Sequence, residues 1–189
     1  ERVHVLPGAV ETDLFSIRPR SQARGRLGLE RDRSILLFVG RLHPIKGLDV
    51  LLDALELMEG AAGDSARPLV ALAGEGPMRR EIEANAGRKG LGEHVRLLGH
   101  LERDEVARWM NAADALVLPS RNEGCPNVVL EALGCGTPVV ASDVGNVSEM
   151  VGAERGRVVE PGDARALAEA LQDVLDRKWD RSLIRRAVD

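Results

Sequence analysis

The chain has 189 residues, of which 44% are hydrophobic and 30% charged; this suits one compact domain and leaves no room for a second full domain. The net charge is −4 and aromatic residues make up 2%, so the basic surface and stacking side chains typical of nucleic-acid binders are missing. Cys125 and Cys135 form no metal-ligand or redox spacing, and no apolar run approaches the roughly 20 residues that a membrane helix needs. We therefore expect a cytoplasmic domain with two reduced thiols that binds no nucleic acid.

The segment before the first apolar run carries little pattern. Residues 1–17 lack the basic start and long apolar stretch of a signal peptide, and we interpret them as an interdomain linker or terminal segment. Residues 18–177 then form the domain, and residues 178–189 a C-terminal tail. A tract of arginines stands before the first strand, and its simplest interpretation is a solvated face, with contact to anionic lipid headgroups as the alternative. These arginines are Arg18, Arg20, Arg24, Arg26, Arg31 and Arg33.

Short apolar runs then alternate with helical patterns along the chain. Most of the runs lack polar alternation, as expected for strands buried on both faces. Leucines at spacings of three and four follow the first run, Pro77 is placed to open a later helix, and Asp163 to cap the last one. The predicted strands are Ile35–Val39, Leu69–Ala73, Val95–Leu98, Ala115–Leu118, Val139–Ala141 and Arg157–Val159.

Strand and helix in regular alternation predict an α/β fold with a Rossmann-like, doubly wound parallel sheet of about six strands. The right-handed crossover rule leaves few topologies, of which we favour the order 3-2-1-4-5-6. In that order the first and fourth strands are neighbours, so the loops that follow them share one crevice, where ligands bind in such sheets.

Charged residues occupy both of these loops. Arg41 and Lys46 follow the first strand, just before a helix whose N-terminal amides favour anions. Glu123 follows the fourth strand, and Glu131 stands eight positions later in a probable helix, whose first turn suits Pro126. We expect Arg41 and Lys46 to face Glu123 across the crevice.

Glycine turns end other strands. Gly74-Glu75-Gly76-Pro77 follows the second strand, and Gly145-Asn146 follows the fifth. Because Gly and Asn accept unusual φ values, the second of these turns can point backbone N–H groups at a ligand oxygen, although a plain turn fits equally well.

Four spaced motifs together carry a family resemblance over about residues 34 to 160. They are Gly40-Arg41 with Lys46-Gly47, Gly74-Glu75-Gly76-Pro77, Ala113-Asp114 before a strand ending at Pro119-Ser120, and Glu123 with Glu131-Ala132 before Gly136-Thr137-Pro138. In this order they resemble the C-terminal, donor-binding domain of retaining glycosyltransferases with the GT-B fold, of the group 1 or family 4 type. The resemblance implies one half of a GT-B fold, and a chain of this length does not hold the N-terminal acceptor domain.

The resemblance also implies roles for single residues. Arg41 and Lys46 would bind the donor diphosphate and neutralise charge on the departing nucleotide, and Glu123 would hold hydroxyls of the donor sugar. These three are the catalytic residues that it implies. Glu131 would accept hydrogen bonds from the ribose, and the backbone at 98–101 would meet the nucleobase. The other implied donor-binding residues are Gly40, Glu75, Leu98, His100, Leu101, Asn127, Val128, Gly145 and Asn146.

The implied substrate is a nucleoside-diphosphate sugar, such as a UDP- or GDP-sugar, and neither a cofactor nor a metal is implied. The sugar would pass to an acceptor hydroxyl with retention of configuration. A lipid-linked acceptor would bring the enzyme to the inner face of the membrane. Without the acceptor domain, we expect the chain to bind nucleotide weakly and to transfer nothing.

Two other classes of function stay open. A non-catalytic nucleotide-binding or assembly domain could have the same fold. A dinucleotide-dependent oxidoreductase is less favoured, because Gly40-Arg41-Leu42-His43 stands where that class needs a Gly-x-Gly-x-x-Gly turn.

Overall fold

A computed structural model describes residues 10–58 and 67–188 of the chain. These residues form a six-stranded parallel sheet with helices on both faces, so the predicted fold class is confirmed. The strands are β1 (Ile35–Val39), β2 (Leu69–Ala73), β3 (Val95–Gly99), β4 (Ala115–Leu118), β5 (Val139–Ser142) and β6 (Gly156–Val159). The helices are α1 (Arg20–Arg26), α2 (Leu48–Leu57), α3 (Arg79–Arg88), α4 (Arg103–Ala112), α5 (Asn127–Gly134), α6 (Val147–Arg155), α7 (Ala164–Asp176) and α8 (Arg181–Arg185), and a short 3₁₀ helix spans Pro44–Lys46.

The strand order is β3-β2-β1-β4-β5-β6, with all neighbours parallel, as the sequence predicts. β1 and β4 adjoin at the centre of the sheet, where Leu36 pairs with Ala115 and Leu37 with Leu116. The chain reverses its direction of winding at this point, which is where open α/β sheets bind ligands. We call the region formed by residues 40–47 and 119–126 the switch-point crevice.

Helices cover the sheet in two layers. On one face α2 contacts α3 and α7, and on the other contacts link α1, α4, α5, α6 and α8. The side chains of β2, β4 and β5 are buried along their whole length, and those of β1 nearly so, which explains their continuous apolar runs. Each fully buried leucine or isoleucine contributes about 1.5–3 kcal/mol relative to exposure, so these strands fix the centre of the domain.

The predicted strand bounds agree with the structure to within one residue, whereas two prolines lie differently. α3 begins at Arg79 and not at Pro77, because Met78 N–H donates to Leu42 O at 3.1 Å and holds this segment in a turn. Pro126 precedes α5 with an extended ψ of 101° and is not part of its first turn.

The arginine tract is not simply a solvated face, and that prediction is wrong for its central part. Residues 20–26 form α1, and Arg24 is only 4% exposed. Its guanidinium donates to Ala112 O at 2.9 Å and to Asp114 Oδ2 at 2.8 Å. Arg20 pairs with the other oxygen of Asp114 at 2.7 Å. Sequence composition suggested solvation because arginine is seldom buried, but Asp114 and three backbone carbonyls, of Ala112, Glu30 and Arg31, satisfy this one.

The described parts of both terminal segments pack on the domain. Phe15 is fully buried, and so is Ile184 of α8. Arg185 donates to Phe15 O at 2.9 Å and to Gly134 O at 2.6 Å, which joins the two segments. The boundaries at 17/18 and 177/178 stay predictions, and residues 1–9 of the predicted linker lie outside the described residues. No helix among those described is long and apolar enough to cross a membrane.

Candidate functional site

An ion pair lies in the switch-point crevice. Lys46 Nζ is 2.6 Å from Glu123 Oε1, and Ser120 Oγ donates to the same oxygen at 2.6 Å. The side chains of Lys46 and Glu123 are 22% and 10% exposed, so the pair is largely shielded from water. The sequence predicts this meeting of residues 77 positions apart, and the structure brings them together.

Arg41 does not share this contact. Its side chain is exposed and makes no hydrogen bond or ion pair with any described residue. It lines a cleft of about 410 Å³, next to Gly40, Gly74, Glu75, His100 and Leu101. We call this space the β2 cleft. The two predicted cations therefore differ, since Lys46 is engaged by Glu123 and Arg41 is open to solvent.

Backbone packing holds the loop of Lys46 against the loop of Glu123. Lys46 ends the 3₁₀ helix, and Gly47 follows in the left-handed region with φ of 64°. A Cβ on Gly47 would lie 1.9 Å from Pro119 O. A side chain at this position is therefore incompatible with the observed approach of the two loops.

Arg121 adds side-chain contacts between the same loops. Its guanidinium pairs with both oxygens of Asp49, at 2.8 and 2.6 Å, and donates to Pro44 O at 2.8 Å. Sequence reasoning missed the Arg121–Asp49 pair and the hydroxyl of Ser120. An acid in the first turn of α2 was the available signal, because such residues often interact with a helix N-terminus or a nearby cation.

Glu131 lies on α5 with a different partner. Its side chain is 18% exposed, and Oε1 is 3.6 Å from Arg103 of α4, which also pairs with Glu11 and stacks over Phe15. Burial raises the pKa of the Glu131 carboxyl, and Arg103 opposes that rise. Glu131 is thus a largely desolvated carboxyl with one cation nearby. Arg103 was not predicted as a site residue.

The β2 cleft holds some of the residues predicted to meet a nucleobase. Glu75 is exposed and 3.4 Å from Arg79. His100 is also exposed, with Nε2 3.7 Å from Glu102, and Leu101 lines the cleft. Leu98 lies in β3, partly buried against the core, and does not line the cleft.

The turn at Gly145 touches the loop of Glu123. Gly145 has φ of 59°, and a Cβ there would lie 2.4 Å from Gly124 O and 2.5 Å from Glu123 O. The backbone N–H of Asn146 donates to Gly124 O at 3.4 Å. The side-chain Oδ1 of Asn146 is buried without a hydrogen-bond partner in the described structure. This turn supports the Glu123 loop, and its Asn146 amide is engaged there. Asn127 is exposed and Val128 half-buried at the start of α5.

Comparison with known proteins agrees with this architecture. The family model of glycosyl transferases group 1 matches residues 33–177. D-inositol 3-phosphate glycosyltransferase 1 of Catenulispora acidiphila is 39% identical over 184 residues, covering 93% of this chain and 44% of the relative. The D-inositol 3-phosphate glycosyltransferase of Jonesia denitrificans is 36% identical over 170 residues, covering 85% and 40%. The chain thus spans less than half the length of these relatives.

Solved structures share the fold closely. Sucrose-phosphate synthase from Thermosynechococcus elongatus superposes with a TM-score of 0.83 at 31% identity, covering 98% of this chain and 46% of that one. Anabaena HepE, solved in complex with UDP, superposes with a TM-score of 0.80 at 25% identity, covering 95% and 50%. The sequence motifs, the sheet order and the matched family model lead to one conclusion. The chain belongs to the glycosyl transferases group 1 family.

Proposed function

We propose that this chain is the nucleotide-sugar-binding half of a retaining, metal-independent glycosyltransferase. In this proposal the complete enzyme moves a sugar from a nucleoside-diphosphate sugar to an acceptor hydroxyl, and the acceptor site lies in a second domain. The Lys46–Glu123 pair in the switch-point crevice is the observation that carries the proposal, since it places a cation and a carboxylate where α/β sheets bind ligands.

The pair still has free hydrogen-bonding capacity. The ammonium of Lys46 has three donors, of which Glu123 takes one, so two can reach phosphate oxygens. Lys46 can therefore bind a diphosphate without releasing Glu123. Arg41, exposed at the mouth of the β2 cleft, supplies a planar fork suited to two phosphate oxygens.

Glu123 has an unused oxygen. Lys46 and Ser120 both donate to Oε1, and Oε2 has no hydrogen-bond partner among the described residues. A carboxylate oxygen only accepts, so Oε2 suits the hydroxyl groups of a sugar. The shared contact with Lys46 then places the sugar next to the diphosphate to which it is bonded.

The ribose and the nucleobase of the donor can be assigned to residues near the Lys46–Glu123 pair. We propose that Glu131 accepts hydrogen bonds from the ribose hydroxyls, with Asn127 and Val128 beside it on α5. The nucleobase lies in the β2 cleft near Leu101. UDP in the HepE structure supports a nucleoside diphosphate as the ligand class.

The proposed chemistry is mainly electrostatic. Breaking the bond from the sugar to the diphosphate moves negative charge onto the leaving phosphate, and Lys46 and Arg41 lie where that charge can be neutralised. Groups fixed at the position of developing charge usually contribute most to catalysis. These cations are the reason for proposing that no metal is required. Retention of configuration and action at a membrane face rest on the sequence resemblance, and the cytoplasmic location rests on the spacing of the two cysteines.

Calorimetric titration of the 189-residue chain tests the binding role. We expect UDP or GDP to bind weakly, and Lys46→Ala to lose most of that binding, whereas Arg165→Ala, a change at an exposed residue of α7, has no effect. A mixture of this chain with an acceptor and donor should yield no product, because in this proposal the acceptor site lies in a second domain. Binding of NAD in preference to both diphosphates would support the oxidoreductase alternative, and binding of no nucleotide would support an assembly role.

A further inference from the structure

Arg121 contacts the chain on both sides of Lys46. Its guanidinium donates to Pro44 O at 2.8 Å, two residues before Lys46, and pairs in bidentate fashion with Asp49, three residues after it. Its backbone N–H also donates to Ile45 O at 2.7 Å. One residue of the Glu123 loop thus contacts the chain at residues 44, 45 and 49, on both sides of Lys46.

That segment has little support of its own. It is a three-residue 3₁₀ helix with internal backbone bonds from Lys46 N to His43 O at 2.9 Å and from Gly47 N to Pro44 O at 3.2 Å. Hydrogen-bond geometry is poorer in 3₁₀ helices than in α-helices, so the contacts that surround such a turn help to hold it in place. Because lysine has a long flexible side chain, the place of its ammonium group depends on a fixed backbone.

Arg121 also changes the charge near the crevice. Asp49 stands in the first turn of α2, directly after the Lys46 segment, where a free carboxylate would repel a diphosphate. The hydrogen bonds from Arg121 lower the pKa of the Asp49 carboxyl and neutralise its charge in a close pair. The arginine itself is exposed and lies outside the Lys46–Glu123 contact.

We propose that Arg121 is a positioning residue that sets the place of Lys46 for the donor diphosphate and neutralises Asp49 beside it. The inference rests on the proposed function of the switch-point crevice. It assigns Arg121 no contact with the donor.

The chain's own lysines give a test that needs no ligand. Only Lys46, Lys89 and Lys178 are present, so side-chain NMR signals of labelled lysine are easily assigned. In Arg121→Ala we expect the Lys46 signals to move while those of Lys89 and Lys178 stay in place. Arg121→Lys adds one new lysine signal and should restore part of the shift of Lys46. Arg108→Ala is the matched control, because it removes an exposed pair with Asp104, 3.2 Å long, on α4. Unchanged Lys46 signals in Arg121→Ala would overturn the proposal.

Calorimetry then separates positioning from a general structural role. UDP and GDP are titrated into each variant, with uridine and guanosine as probes that lack the diphosphate. We expect Arg121→Ala to weaken diphosphate binding about fivefold and to leave nucleoside binding unchanged. Equal losses for nucleoside and diphosphate would overturn the proposal. If the unsubstituted chain binds neither UDP nor GDP, the proposed function fails, and the Lys46 signals alone decide the role of Arg121.

Discussion

An acidic residue lies beyond each end of β4, and the two differ in how many of their carboxylate oxygens accept hydrogen bonds. Asp114 precedes the strand, and its two oxygens accept from Arg20, Arg24 and Ile35 N–H, at 2.7, 2.8 and 2.7 Å. Glu123 follows the strand, and within residues 10–58 and 67–188 only one of its oxygens accepts hydrogen bonds, from Lys46 and Ser120. Both residues belong to the motifs of the family resemblance, so the sequence alone does not distinguish a structural role from a functional one.

The difference lies in unused hydrogen-bonding capacity. Asp114 ties α1 to the starts of β1 and β4, and each of its oxygens has a donor, which suits a structural role. Glu123 and Lys46 are held firmly but keep free acceptor and donor positions at the edge of the sheet where ligands bind. Partial saturation of a well-fixed charged pair is therefore the better sign of function.

The largest expected effect comes from substituting Asp114, the acidic residue with the structural role. Asp114→Ala removes the partner of Arg24, whose charge is then buried without an ion-pair partner. We expect a loss of about 3–5 kcal/mol in the free energy of unfolding. Urea unfolding followed by circular dichroism measures it. A loss below about 1 kcal/mol, the range of exposed pairs, would show that the Asp114 cluster is not structural.

Lys46→Ala changes the contact of Glu123, after the other end of β4, and should affect diphosphate binding as well as stability. We expect about 1–2 kcal/mol of lost stability, less than for Asp114→Ala, since Glu123 keeps the hydrogen bond from the Ser120 hydroxyl. Diphosphate binding should fall by about 1.5–3 kcal/mol, or tenfold to a hundredfold. The two values come from urea unfolding and from calorimetry with UDP or GDP. Unchanged affinity for both nucleotides would place the diphosphate elsewhere.

Glu123→Gln tests whether Glu123 holds the sugar of the donor. The amide keeps the shape of the side chain but loses the charge, so a hydroxyl held by Oε2 is held less well. We expect the preference for UDP-glucose over UDP, or for GDP-mannose over GDP, to fall by about threefold to tenfold. Competition titrations measure that preference. If the ratio is the same in the variant and the unsubstituted chain, Glu123 does not hold the sugar.

The smallest expected effect concerns pH and Glu131. Burial raises the pKa of this carboxyl in the folded chain above its ordinary value of 4.5. The folded state then holds the proton more tightly than the unfolded state, so this contribution to stability is complete below pH 4.5 and is lost as the pH rises through the raised value. We expect Glu131→Gln to be more stable than the unsubstituted chain at neutral pH, with the difference vanishing in acid.

Arg103→Ala provides a second arm for the same measurement. Because Arg103 lowers the pKa of Glu131, its removal should shift the loss of stability to higher pH. Urea unfolding across the pH range measures both variants. A Glu131→Gln difference that does not change with pH would show that Glu131 keeps its ordinary titration in the folded chain.

Much of the fold could be predicted because local sequence determines it. The strands are continuous apolar runs that must be buried, and the right-handed crossover rule leaves few ways to connect them. The meeting of Lys46 and Glu123 then follows from β1 and β4 being neighbours. That step uses only the strand order and the parallel direction of the strands.

The remaining contacts depend on tertiary geometry. Arg24 looked solvated because its partner Asp114 lies 90 residues away. The Arg121–Asp49 pair joins residues 72 positions apart, and although an acid in the first turn of α2 suggests a cationic partner, the sequence does not show which cation it is. Arg41 stands in the predicted loop, but its orientation towards the β2 cleft depends on how the Gly74 turn packs. Ion-pair partners at such distances are set by the folded backbone and cannot be deduced from spacing.

The tight approach of Gly47 to Pro119 and of Gly145 to the Glu123 loop has a thermodynamic consequence. Three loops from different strands contact one another so closely that neither glycine can carry a methyl group. A ligand entering the crevice therefore meets loops that are already ordered, and little of its binding free energy is spent on conformational entropy. Affinity at this site should then depend mainly on the charges and hydrogen bonds that the donor brings.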